Sequence, residues 1–261
     1  MDSSVYTKYV FSMPMLATWA ACCIAFGVSI SLLGVDQGWI KFNSSSSKSQ
    51  DDNNAKPTDN SLDEKEYEQM TNTLLNSNAA KECLESPDEW KRVPYFWPIS
   101  RDSTRMPPTA FVPGTLHGSE KLSVEPVAFL NRDRKQFVVI VHLGKKVCGH
   151  QGIVHGGVQA TLFDEITARP AFWNLPRNIA LTATLKVNYR RPVLADQILV
   201  FRTQLANIEG RKATVTAKLE DVNGNVLSDA EALYISPSNE KLLPDRSSEI
   251  EKIESVYPGN F

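Results

Sequence analysis

His155-Gly156-Gly157-Val158-Gln159-Ala160-Thr161-Leu162-Phe163-Asp164 is the stretch from which the rest of this chain is read. Two adjacent glycines open what the pattern predicts to be a helix, where bare backbone N–H groups can approach a ligand oxygen closely. A carboxylate, Asp164, follows about two turns later, and the apolar Leu162, Phe163 and Ile166 around it would bury the helix's other face. A group that polarises a carbonyl and a group that activates water are the two parts acyl hydrolysis needs.

Strand-like runs surround this helix. Upstream, Val124–Leu130 and Lys135–Leu143 are separated by Asn131-Arg132-Asp133-Arg134, a turn composition. The Gly149–Gly157 turn leads into the helix, which is expected to end or kink near Pro170, because proline disfavours helical backbone at Arg169. Downstream come Ile179–Arg191, Gln197–Asn207 and Lys212–Asp221, the last two joined across Glu209-Gly210. Asn223-Gly224 is a hairpin signal leading to a final strand at Val226–Ile235. Two strands, a helix and four strands make an α+β architecture, one antiparallel sheet wrapped round a central helix. Leu181, Leu185, Val187 and Tyr189 alternate and are expected in its core.

The N-terminal part has a different character. Residues 1–10 form a short tail, and residues 11–35 are predominantly apolar without a Lys, Arg or Glu. That run suffices to cross a hydrocarbon core of about 30 Å. It exceeds a secretory h-region of about 7–15 residues and has no clear cleavage site. The first ten residues hold Asp2 and Lys8 but no Arg, unlike a transit peptide. The expectation is a retained single-span membrane anchor. Residues 43–61, rich in Ser, Asn, Asp and Lys, read as a flexible tether. Residues 62–115 read as an extension, helical over 62–82 and irregular over 86–115, where prolines recur. The compact domain is expected over 116–238, with a C-terminal tail over 239–261.

Net charge is −2 and the pI is near 6.1, so no basic surplus argues for nucleic acid. The four cysteines form no framework, and no CxxC or His/Cys spacing suggests a metal. No cofactor is implied.

Three segments, His155–Asp164, Thr182–Pro192 and Glu209–Lys212, together resemble the hotdog-fold acyl-CoA thioesterases, with the likeness strongest to the mitochondrial long-chain branch. The resemblance covers roughly 106–236. It implies hydrolysis of acyl-CoA, medium- to long-chain, to free acid and CoA, and mitochondrial residence. The backbone N–H of Gly156 or Gly157 would hold the thioester oxygen with help from the helix dipole. Asp164 would act as general base or as nucleophile, and Thr182 matches a hydroxyl that orients the water or the carboxylate. His155 would either touch substrate or shape the turn. Asn188, Arg190, Arg191 and Lys212 are candidates for CoA contacts, against the plainer reading of exposed strand charges. Some relatives carry a side-chain amide just before the glycine turn, where this chain has Gly149-His150-Gln151, so His150 or Gln151 would have to substitute for it.

Gly156 and Asp164 are about 12 Å apart along one helix, so a single thioester carbon cannot touch both. Either Asp164 is structural or the site combines two subunits. The family's homo-oligomers, dimers or dimers of dimers, agree with the second option. Two other functions stay open: a non-catalytic acyl-CoA or lipid-binding protein, and a hotdog hydratase or dehydratase. The latter resembles an Asp/His dyad, and no His follows Asp164 within ten residues.

Overall fold

The computed structural model describes residues 62–96, 110–239 and 245–248. The expected tail (1–10), anchor (11–35) and tether (43–61) lie outside the described residues, as does most of 239–261.

In chain order the elements are α1 (Glu64–Leu75), α2 (Asn78–Leu84), β1 (Trp90–Val93), β2 (Val127–Asn131), β3 (Gln136–Leu143), the short β4 (Cys148–His150) and β5 (Ile153–Val154), α3 (Gly156–Asn174), β6 (Leu181–Tyr189), β7 (Gln197–Glu209), β8 (Lys212–Asp221) and β9 (Val226–Ile235). Seven strands form one antiparallel sheet in the order β1-β2-β3-β7-β8-β9-β6, and β4 pairs with β5 separately. This is the hotdog arrangement, with α3 lying against the inner face. Leu162, Phe163 and Ile166 pack there with Val139, Val141, Leu199 and Phe201, and the rings of Phe163 and Phe201 meet edge to face at 5.1 Å.

β2 and β3 are apolar on both faces because both faces are covered. On the outer side, Leu74, Ala79, Ala80 and Cys83 of α1 and α2 bury Phe129, Val138, Ile140 and Val200. Asp63 starts α1 with a capping box, accepting from the Glu66 N–H at 2.8 Å, and Ser77 caps α2. Burial pushes the Cys83 thiol up to about 12, so it is an inert packing group.

Three expectations change. The stretch read as irregular over 86–115 contains β1, whose residues Trp90 to Val93 pair with Asn131 to Ala128. Four residues between Pro87 and Pro94 suffice at a sheet edge, where proline removes no needed donor. Second, of the end or kink expected near Pro170, the end is not there: α3 continues one turn further, to Asn174. Pro170 and Ala171 are buried, and the Asn174 side chain donates to the Pro170 carbonyl at 2.8 Å, tying down the last turn. Third, β6 is an edge strand: Leu181 and Tyr189 are exposed, and only Leu185 and Val187 are half-buried against the core.

The alternation along β6 is interrupted by a bulge. Thr182 pairs with Tyr234 and Thr184 with Leu233, so Ala183 is an extra residue. Leu185 and Val187 face inward; without the bulge, Thr182 would face outward. With it, Thr182 turns toward α3 and Leu181 is left on the exposed side.

Candidate active site

Asp164 sits in the middle of α3 on the side facing the start of β6. The Thr182 hydroxyl donates to Asp164 Oδ1 at 2.8 Å. Tyr234, fully buried on β9 and directly across from Thr182, donates to the Asp164 backbone carbonyl at 2.7 Å; its oxygen lies 3.4 Å from Oδ1. The same hydroxyl meets Thr167 Oγ1 at 2.7 Å. Burial, first, and then the nearby Asp164 charge hold the Tyr234 phenol well above its ordinary range, so it stays a neutral donor. Asp164 Oδ2 has no hydrogen-bond partner among the described residues.

The glycine end of α3 forms the other half. His155 is the N-cap, and its Nδ1 accepts from the Gly157 N–H at 2.8 Å. Of the two glycine amides, Gly157's is therefore committed to the cap, whereas Gly156's has no hydrogen-bond partner among the described residues. Tyr189, at the far end of β6, donates from its hydroxyl to the Gly156 carbonyl at 2.9 Å. A β-carbon at 156 would lie 3.4 Å from the Tyr189 ring, an ordinary contact distance, so the ring already lies against the helix start.

A depression of about 460 Å³ opens at this end, lined by Gly149, His150, His155, Gly156, Tyr189, Arg190 and Arg191 among others. The missing side chain at 149 has a local cause. A β-carbon there would sit 2.8 Å from His155 Cδ2, so the ring of the capping histidine occupies the space an amide side chain would need.

The remaining candidates are dispersed. Arg190 and Asn188 share the Asp229 carboxylate, with Asn188 Nδ2 donating at 2.8 Å, and Arg190, first, holds that carboxyl below its ordinary range. Arg191 and His150 are exposed at the depression. Lys212 lies at the opposite end of the sheet, in register with Ile235 and thus near Leu181. Among the described residues no group of His, Cys, Asp and Glu is placed to hold a metal ion.

A Thioesterase superfamily model matches residues 151–228, which include Gly156, Asp164, Thr182 and Tyr189. The "Acyl-coenzyme A thioesterase THEM4" of Bos taurus is 30% identical over 190 residues, covering 67% of this chain and 75% of that protein. The chain belongs to the thioesterase superfamily. It carries the domain of a thioester hydrolase. The "Uncharacterized mitochondrial membrane protein FMP10" of Saccharomyces cerevisiae is 32% identical over 127 residues, covering 46% of this chain and 52% of that one. A solved thioesterase superfamily protein is 28% identical with a TM-score of 0.40; the match covers 43% of this chain and 54% of the other.

Within this candidate site, Asp164 and Thr182 come together, whereas Gly156 does not join them. Tyr234 and Tyr189 escape a reading by pattern, since a strand tyrosine carries no signal beyond β propensity. Only the register, which sets Tyr234 beside Thr182, shows that its hydroxyl reaches the helix.

Proposed function

We propose that the protein hydrolyses acyl-CoA thioesters, medium- to long-chain, to free acid and CoA, at a site assembled from two copies of the chain. The observation that carries this reading is the division of the site between the two ends of one uncovered strand. The Gly156 amide, which has no partner among the described residues, lies beside Tyr189, and the carboxylate of Asp164 lies beside Thr182. A two-fold axis between Leu185 and Lys186 would pair β6 with its copy and bring Thr182 of one chain close to Tyr189 of the other. The half-buried and exposed apolar residues of β6 would be covered in the same step.

In that assembly the Gly156 N–H and the positive end of α3 from one chain stabilise the oxygen of the thioester as charge develops. Asp164 of the other chain takes a proton from water on its unpartnered Oδ2, with Oδ1 fixed by Thr182. The water oxygen bonds to the acyl carbon, the C–S bond breaks, and the proton passes to the departing thiolate. Arg191 and His150, which line the depression, would contact the phosphates of CoA. Lys212 stands at the Asp164 end of the sheet, where it would approach the same cofactor-like tail from the other chain. Asn188 and Arg190 would first have to exchange Asp229 for phosphate.

The names of yeast and Candida relatives support a mitochondrial setting. Residues 11–35 are proposed as the membrane anchor; among the described residues no helix is long and apolar enough to cross a membrane. The test is CoA release from acyl-CoAs by the full-length protein beside Asp164→Asn. Release that is lost in the variant, with acyl-CoA binding kept, supports hydrolysis. Binding without release in both would make this an acyl-CoA-binding protein, a reading the bare Gly149 favours.

A further inference from the structure

A second cavity, of about 330 Å³, lies beyond Asp164 along α3. Its volume falls within the range of small-ligand sites. One wall is the helix, through Ala168 and Phe172; the other is the N-terminal extension, through Tyr95, Phe96, Phe111 and Val112. We infer that this cavity receives the acyl chain of the substrate, so that the chain's own extension sets its chain-length preference; the inference rests on the acyl-CoA reading above.

Position argues for it first. Asp164, Ala168 and Phe172 are four residues apart and form one stripe along α3, about 12 Å from the carboxylate to the ring. An acyl group whose carbonyl carbon is held at Asp164 can follow this stripe directly into the cavity. Ala180, two residues before Thr182, forms part of the same lining. Both stripe neighbours nearest the carboxylate, Ala168 and Ala180, are small and leave space where larger side chains would close the entrance.

Chemistry argues for it next. The depression at the glycine end includes the cations Arg190 and Arg191 beside its apolar lining, whereas this cavity is walled by four aromatic rings and by aliphatic groups, with Glu165, Arg169 and Arg246 as its charged members. Within one chain the two recesses lie toward opposite ends of α3, so the phosphate-bearing tail and the hydrocarbon tail would have separate places to go. Polar wall groups are present: Glu165 lines the cavity, and Arg169 donates to the Tyr95 carbonyl at 2.8 Å with its guanidinium 5.7 Å from the Tyr95 ring centroid. That contact fastens the extension to the helix, which gives the cavity a fixed wall. The buried Tyr95–Phe96 edge-to-face pair at 5.4 Å stiffens it further.

The test compares butyryl-, octanoyl- and palmitoyl-CoA turnover by the full-length protein with that of Ala168→Phe, which fills the entrance, and Phe111→Ala. The second variant removes an exposed ring from the wall and leaves the core untouched, so it still reads out should Ala168→Phe fail to fold. Ala168→Phe is expected to lower the palmitoyl-to-butyryl ratio of kcat/KM by about tenfold or more. Phe111→Ala should raise KM for palmitoyl-CoA and leave butyryl-CoA unchanged. Ratios unchanged in both variants, or an equal loss at every chain length, would overturn the inference. Should the wild type release no CoA at all, hydrolysis fails as a reading and binding decides. Weaker palmitoyl-CoA binding in the variants with unchanged CoA binding then upholds the cavity, and equal affinities overturn it.

Discussion

Replacing Thr182 with valine removes one hydroxyl and keeps the branched shape that suits a strand. In the structure that hydroxyl makes a 2.8 Å bond to Asp164 Oδ1 and also touches the Tyr234 hydroxyl. A hydrogen bond to a charged group contributes about 1.5–3 kcal/mol, and Thr182 is exposed, where water competes, so the lower end applies. At about 1.4 kcal/mol per factor of ten, kcat should fall roughly tenfold. KM should stay within about twofold, because the bond orients the carboxylate and not the substrate. Stability should change by less than about 0.5 kcal/mol at so exposed a position. The assay is steady-state CoA release from octanoyl-CoA by wild type, Thr182→Val and Thr182→Ser, with urea midpoints measured alongside. Serine keeps the donor and should recover most of the rate. Equal rates for all three, or a serine variant as slow as valine, would refute the role of the hydroxyl.

Tyr234→Phe removes the hydroxyl that donates to the Asp164 carbonyl and meets Thr167 Oγ1, at a cost of about 1 kcal/mol for each lost bond, while Thr167 keeps its bond to the Phe163 carbonyl. Its Tm should drop roughly 2–4 °C for each kcal/mol, and kcat should fall with KM held; an unchanged Tm would show that the hydroxyl supports nothing. Stability should also depend on pH through His142, which is buried, bonded to Ser123 Oγ at 2.9 Å and faced by Asp196, itself paired with Lys145. Burial lowers the His142 pKa from 6.5, with Asp196 opposing in part. The unfolded chain therefore takes up a proton first, so stability is full above about pH 6.5 and falls as the pH drops through that value toward the lowered one. Urea midpoints at pH 7.5 and about 5.5 should separate more for wild type than for His142→Asn; identical separations would exclude His142 as the source.

Some parts of the fold were legible because local chemistry and tertiary structure agree. β8 and β9 begin and end where the pattern places them, since Asn223-Gly224 forces a reversal there: Gly224 has φ 81°, and Asp221 accepts from the Asn223 and Asn225 amides at 2.9 Å. β1 was hidden because a four-residue edge strand between prolines has too little length to show a period. Helix α3 outruns Pro170 because burial on the sheet offsets a penalty of about 3 kcal/mol that a sequence rule treats as final. At the site, Asp164 and Thr182 could be picked out in advance, but the commitment of the Gly157 amide to His155 depends on a ring orientation no pattern encodes.

The extra residue at Ala183 divides β6 into two segments of opposite parity. Over most of the strand, odd-numbered residues face the helix; before the bulge, even-numbered ones do. Regular pairing over the same residues would exchange the places of Leu181 and Thr182, giving the carboxylate a hydrocarbon neighbour and the solvent a hydroxyl, whereas deleting Ala183 would close the bulge and leave Thr182 across from Tyr234. The chemistry of Asp164 thus depends on pairing register as well as on residue identities, and a chain with every side chain of the site in place would lose the arrangement through a one-residue slip of this short segment.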